Sequence, residues 1–183
     1  MDTLIPTLTT DRLILRPWRE DDLDALCIMM NDPDSIRYTT PDGKPQERMV
    51  VWRTMASMIG HWHLRGFGMW AVVDRHSGDF VGRVGPIRPE GWPQLEVGWG
   101  LTPAVRGKGY GSEAAVASMR WMFNQRPDMD RIVHHIVEEN TPSIALAERL
   151  GSSWDGAEMV TLFGHHARVY AQSRAAFADR WGL

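Results

Sequence analysis

Residues 105–111 of this 183-residue chain read Val-Arg-Gly-Lys-Gly-Tyr-Gly. Three glycines alternate there, Gly107, Gly109 and Gly111, between a strand-like run and a helix-like run. Glycine adopts backbone angles that other residues resist, and it lets a ligand come close to the main chain. A glycine turn opening a helix aims several unbonded N–H groups outward, and the helix dipole adds partial positive charge there. Such a turn suits an anion, above all phosphate or pyrophosphate. Arg106 and Lys108 put full positive charge beside it. A second chemical feature lies just upstream, in the alternating run 95–101. Read as a strand, it places Leu95, Val97, Trp99 and Leu101 on one face and Glu96, Gly98 and Gly100 on the other. A carboxylate beside two positions without side chains leaves room for a ligand along the strand.

Three kinds of phosphate site compete for the turn. A P-loop needs Gly-x-x-x-x-Gly-Lys-Ser/Thr; here Thr102 stands at the first glycine and Gly109 follows Lys108, so two positions fail. The dinucleotide fingerprint fits by letter as Gly109-x-Gly111-x-x-Ala114. Its glycines should follow the strand at once, whereas residues 102–106 intervene and Pro103 cannot lie in a central strand.

The third is an acyl-CoA pyrophosphate site. Arg106-x-x-Gly109-x-Gly111 resembles the Arg/Gln-x-x-Gly-x-Gly/Ala motif of the GNAT acyl-CoA N-acyltransferase superfamily. Two further stretches support the resemblance. Leu8-Thr9-Thr10-Asp11-Arg12-Leu13-Ile14-Leu15-Arg16-Pro17, followed by Glu20-Asp21-Asp22, resembles the opening of the branch containing the ribosomal-protein N-terminal (alanine) acetyltransferases. Asn140-Thr141-Pro142-Ser143, ending in Glu148-Arg149-Leu150-Gly151, resembles the superfamily's strand-to-helix segment after the pyrophosphate helix. The three occur in the expected order and span roughly residues 8–175.

The resemblance implies an N-acetyltransferase with acetyl-CoA as co-substrate, an amine acceptor and direct attack on the thioester. It implies that Arg106, Gly107, Lys108, Gly109, Tyr110 and Gly111 hold the pyrophosphate, mainly through main-chain N–H groups. Val97, Trp99 and Leu101 would pair by backbone with the pantetheine arm, much as a peptide adds to a sheet edge. Asn140 matches the family asparagine that contacts the same arm. Glu96 is the candidate general base, acting directly or through water; its other reading is a simple ion pair or a solvated side chain. Ser143 is the candidate acid for the leaving thiolate as well as a cofactor contact. Many superfamily members place a tyrosine four residues further on for that task, and this chain has Ala147. Ser143 can equally be a helix-start residue that satisfies N–H groups.

Seven histidines raise the question of a metal. Adjacent strand residues point to opposite faces, which separates His134 from His135 and His165 from His166. His61 and His63 are two apart on a helical segment and share no face. No metal is expected, and His134 or His135 stands as a minor alternative base.

The elements that must position these residues are legible in outline. Residues 12–17 read as a first strand and Glu20 to Met30 as an amphipathic helix ended by Asn31-Asp32-Pro33. A Pro/Gly-rich loop at 39–45 leads to a helical region from Gln46 to about Leu64, with a kink expected near Gly60. Trp52 and Trp62 on that helix are expected to wall the acceptor side. Strands follow at 67–74, 79–88 and 94–101, then the turn, a helix to about Asn124 and a strand at 131–139. Thr141 reads as the cap of the next helix, with Pro142 at its first position and Gly151 past its end. Segments 153–162 and 165–173 read as a closing hairpin. The fold class is α+β. The resemblance implies a three-layer arrangement, a central mixed, splayed sheet flanked by helices.

Length suits one domain, 1–183 with a core of about 8–175, and no repeat or linker divides it. A net charge of −3 argues against a general nucleic-acid or membrane-surface binder. Cys27 is the single cysteine, which excludes an internal disulfide and a cysteine zinc cluster. Neither a signal peptide nor a membrane span is visible, so a cytoplasmic protein is expected; whether it is a monomer or homodimer does not follow from the sequence. Two other function classes stay open: a catalytically silent acyl-CoA-binding module, and a nicotinamide-nucleotide enzyme with Glu138 as a stand-in ribose contact. The acceptor itself, whether a protein N-terminus, an antibiotic, an amino acid or a polyamine, does not follow from fold.

Overall fold

The computed structural model describes residues 5–162 and 164–183. Residues 1–4 and Phe163, which the single-domain reading includes, lie outside the described residues. In chain order the elements are β1 (Leu8–Thr9), β2 (Leu13–Arg16), α1 (Leu23–Met30), α2 (Pro33–Thr39), α3 (Arg48–Arg65), β3 (Trp70–Asp74), β4 (Phe80–Ile87) and β5 (Glu96–Leu101). They continue with α4 (Tyr110–Gln125), β6 (Arg131–Val137), α5 (Thr141–Leu150), β7 (Ser153–Leu162), β8 (His165–Ser173) and α6 (Arg174–Trp181). The strands form one eight-stranded sheet in the order β1-β2-β3-β4-β5-β6-β8-β7. All neighbours are antiparallel except β5 and β6, which run parallel. The fold is therefore mixed α+β, as the sequence implies.

That single parallel pair shapes the molecule. β4 and β5 stay in register over six residue pairs, and β6 and β8 over seven. β5 and β6 meet only at Glu96 and Val133, then part. The sheet splits there, and one edge of β5 faces an opening instead of a neighbour. No register shift falls within β5, so the face assignment from its alternation holds. Its apolar face joins the main core with Val72, Val84, Ala115, Met119 and Phe123. Its Glu96/Gly98/Gly100 face turns toward the second cluster, in which Met29 of α1 and Met55 and Met58 of α3 pack with Met69.

Several expectations need correction. Asn31-Asp32-Pro33 ends α1 but also begins α2, with Asp32 at the N-cap and Pro33 in its first turn; the same residues that stop one helix start another. α3 runs without interruption through Gly60. Thr141 is the first residue of α5 and Asn140 is its cap, the Ser143 N–H donating to Asn140 Oδ1 at 3.3 Å. α6 was not foreseen; Ser173 caps it by accepting from the Ala176 N–H. Trp62 does not wall a cleft. It is 1% exposed and meets Trp70 and Trp121 edge to face, with centroids 4.8 and 5.5 Å away. Trp62, Trp70 and Trp121 thus serve the main core together. Trp52 is 48% exposed and borders none of the cavities described below.

His134 ties β6 to β5 just past the split. Its Nδ1 lies 2.6 Å from the Val97 carbonyl and its Nε2 3.1 Å from Ser152 Oγ. A neutral ring satisfies both, donating to the carbonyl and accepting from the hydroxyl. Burial pushes its pKa down from 6.5 to about 4, against the Val97 bond, with the nearby His135 adding to the depression. The unfolded chain therefore takes up a proton below pH 6.5 that the folded chain refuses until about pH 4. Stability should be full above that window and decline as the pH falls through it, by roughly 3 kcal/mol in total. Urea midpoints across the window should show this decline in the wild type and a flatter profile in His134→Gln.

Candidate active site

The opening between β5 and β6 leads into two joined cavities. The first, of about 490 Å³, is bordered by Leu101, Arg106, Gly107, Gly109, Gly111 and Ser112 at one end. The second, of about 530 Å³, is bordered by Glu96, Gly98, His135, Trp92, Ser57 and Met58. Met30, Tyr38, Thr39, Arg83, Trp99, Asn140 and Ser143 border both and mark the junction.

The glycine turn has the geometry that an anion needs. Gly107 and Gly109 take positive φ, +74° and +81°, and α4 begins directly after Gly109. The first backbone bond of that helix is from the Glu113 N–H to the Gly109 carbonyl at 3.1 Å. Among the described residues no side chain caps the helix. The N–H groups of Tyr110, Gly111 and Ser112 therefore lack intrahelical acceptors. A Cβ on Gly111 would lie 2.8 Å from Leu101 Cδ1, so that position admits no side chain without displacing the cleft wall. The N-terminal motif braces this turn from behind. Arg12 Nη1 donates to the Lys108 carbonyl at 2.9 Å and its Nε pairs with Glu113 at 2.6 Å. Thr10 Oγ1 and the Arg12 N–H also donate to Glu113 Oε1. Burial opposes ionisation of Glu113, but these donors hold its carboxyl below the ordinary range. The residues present fit a pyrophosphate.

The side chains of the turn divide in their direction. Arg106 borders the cleft yet pairs with Asp32, and its Nη2 also donates to Ser35 Oγ at 2.9 Å. Asp32 caps α2 by position only; its carboxylate is turned to Arg106, which with Ser35 holds its pKa low against the effect of burial. Lys108 is exposed. The Tyr110 hydroxyl donates to Asp74 Oδ2 at 2.8 Å and its ring lies under the Arg12 guanidinium, away from the cleft. What Tyr110 offers an anion is its main-chain N–H alone.

Along β5 the unpaired edge runs past the split. The Val97 carbonyl on it is taken by His134, and the Leu101 carbonyl receives Arg106 Nη2 at 3.4 Å. Main-chain groups two residues apart on a strand point the same way. Trp99 thus presents its N–H and C=O on that edge, where the ladder to β6 has ended. The Trp99 indole donates to Ser143 Oγ at 3.3 Å and meets the His134 ring at a tilt of 49°, centroids 4.7 Å apart.

The second cavity holds Glu96 and His135. Glu96 is 8% exposed. Its Oε2 bonds His135 Nδ1 and accepts from the His135 N–H at 3.3 Å. No hydrogen bond among the described residues reaches its Oε1, which lies beside Gly98. The His135 side chain is 1% exposed, and among the described residues its Nε2 has no hydrogen-bond partner. The Trp92 ring meets His135 edge to face at 5.7 Å. The glycines at 98 and 100 keep this floor open; a Cβ on Gly98 would lie 2.9 Å from Met69 Cε. Sequence reasoning missed Arg83, which projects from β4 opposite Gly100. Its signal was a lone charge in an apolar strand between Gly82 and Gly85. Among the described residues no group of three or more His, Cys, Asp or Glu side chains is placed to hold a metal ion. None of their helices is long and apolar enough to cross a membrane.

A buried carboxylate, an unpaired strand edge and an uncapped helix start thus line one cleft. The acetyltransferase (GNAT) domain family matches residues 12–153, and the chain belongs to that family. The uncharacterized N-acetyltransferase p20 of Bacillus licheniformis is 30% identical over 153 residues, 82% of this chain and 84% of that one. An acetyltransferase crystal structure from Agrobacterium tumefaciens str. C58 matches at 30% identity with a TM-score of 0.80, covering 92% of this chain and 94% of the other. RimL, a ribosomal alpha-N-protein acetyltransferase solved with coenzyme A, shares the fold at 21% identity and a TM-score of 0.69, covering 93% and 99%. The protein is an acyltransferase of the GNAT kind.

Proposed function

We propose that this protein is a single-domain enzyme that transfers the acetyl group of acetyl-CoA to a primary amine. The observation that carries the reading is the uncapped start of α4, joined by one cleft to the buried carboxylate of Glu96. The N–H groups of Tyr110, Gly111 and Ser112 bind the pyrophosphate, with the 107–109 turn shaping their approach. Trp99 pairs by backbone with the pantetheine arm, and Asn140 and Ser143 close over it from α5. Acetyl-CoA supplies the activated acyl carbon. Glu96, through Oε1, takes the proton that the amine loses as its nitrogen bonds that carbon and the carbon–sulfur bond breaks. His135 fixes the carboxylate from its other oxygen. The Ser143 hydroxyl, oriented by Trp99, is placed to hydrogen-bond the departing sulfur; a poor acid suffices because a thiolate leaves readily.

Calorimetry tests the reading first. Acetyl-CoA should bind at one site per chain, and thiol should be released when a primary amine is added. Absence of acetyl-CoA binding would reject it. A silent acyl-CoA binder is the second reading. It draws on Ala147, which is fully buried and offers no phenol to the sulfur. Binding without thiol release across a broad amine panel would favour it.

A further inference from the structure

Among the described residues, Arg83 has no carboxylate within ion-pair distance. Arg12, Arg16, Arg106, Arg131 and Arg168 each meet a carboxylate. Arg83 does not: among the described residues its Nε is shut from solvent with no partner, and its Nη1 reaches only Met58 Sδ at 3.6 Å. Burial opposes its charge, and only the field of Glu96 favours it. A guanidinium nevertheless stays protonated at working pH, so this half-buried one, facing the cleft, is free to take an anion. Arg83 borders both cavities at their junction. The cofactor does not answer the need there. In the reading above its phosphates sit at the glycine turn, and the pantetheine and acetyl groups that pass the junction are uncharged.

The second cavity has two poles. Of the side chains around it, Arg83 and Glu96 carry the formal charges, and the rest are apolar, neutral polar or imidazole. Arg83 is paired with Gly100 and Glu96 with Ile87, four residues apart along the same strands. That is about 13 Å between backbone positions at 3.3 Å per residue, and the two long side chains shorten the gap between their heads. A cavity of about 530 Å³ suits a small molecule. We infer that the acceptor is an amino-acid-like molecule, whose carboxylate is held by Arg83 while its amine lies at Glu96. The guanidinium fork matches a carboxylate in plane. This rests on the acetyl-transfer reading and names its acceptor class; Arg83 is a binding and specificity residue in it.

The test compares free amino acids with their carboxamides as acceptors, following thiol release from acetyl-CoA by wild type, Arg83→Met and Arg83→Lys. Wild type should favour acids over matching amides by about tenfold or more in kcat/KM, as expected for a charge-assisted pair, with the difference lying in KM. In R83M the ratio should fall to near one because KM for the acids rises; in R83K it should be intermediate. A merely structural role would lower use of acids and amides alike. Three results would overturn the inference: acids and amides used equally by wild type, neither class used, or a ratio that survives in R83M. Calorimetry with acetyl-CoA runs beside each assay. Failure of wild type to bind acetyl-CoA defeats the transferase reading itself; binding with no preference for acids defeats only the acceptor assignment.

Discussion

Glu96→Gln is expected to lower kcat by about 10²- to 10⁴-fold, the range for loss of a positioned general base. Its affinity for acetyl-CoA should change by less than about threefold, because the loss falls in the chemical step alone. The substitution keeps the shape of the site. A glutamine oxygen can still accept from His135 Nδ1 and from the His135 N–H, the two partners of Glu96 Oε2. What it cannot do is take a proton at the position of Oε1. Steady-state kinetics paired with calorimetric acetyl-CoA binding separates the two effects. Unchanged kcat would take Glu96 out of the chemistry and leave His135, whose Nε2 is buried with no partner among the described residues, as the alternative base. His135→Gln sharpens the distinction. If His135 only steadies the carboxylate, its loss should cost less than that of Glu96.

The parts of this site legible from sequence are those set by local rules. Alternation along 95–101 assigns the faces of β5 because a strand repeats every two residues, and β5 carries no bulge to break the count. The glycine spacing identifies the turn because φ near +80° at 107 and 109 is a backbone demand that few other residues meet. The parts that were not legible depend on register between distant strands. That Glu96 lies against His135 follows from one parallel pair, Glu96 with Val133, across a crossover through α4. That Arg83 faces Gly100, and so enters the cleft, follows from the antiparallel register of β4. Neither can be derived from spacing along the chain. Trp62 shows the complementary limit. Its position on α3 suggested a cleft wall, but the close approach of Trp70 and Trp121 draws it into the core. α2 escaped notice because Asp and Pro are both stop and start signals, and only Ile36 is buried over its length.

Gly109→Val should weaken acetyl-CoA binding by about 10³-fold, the loss of three amide-to-anion bonds at about 1.5 kcal/mol each. The residue holds φ +81° at the helix start, and its Cβ would lie 3.3 Å from Arg12 Nη2. A β-branched side chain resists that conformation strongly. The turn must then rotate, and the Tyr110, Gly111 and Ser112 N–H groups rotate away from the cleft with it. The strain falls on a partly exposed turn braced by Arg12, not on the core, so the chain should remain folded. Ligand fragments locate the defect. Adenosine 3′,5′-bisphosphate extended by the second 5′-phosphate should lose affinity by the same factor as acetyl-CoA, whereas acetyl-pantetheine, which lacks the diphosphate, should lose almost none. Equal weakening of both fragments would place the damage in the cleft as a whole. No weakening of either would mean that the amides of this turn are not what holds the cofactor. The reading of Glu96, Trp99 and Ser143 would then fall too, since all three are placed by a thioester anchored at this turn.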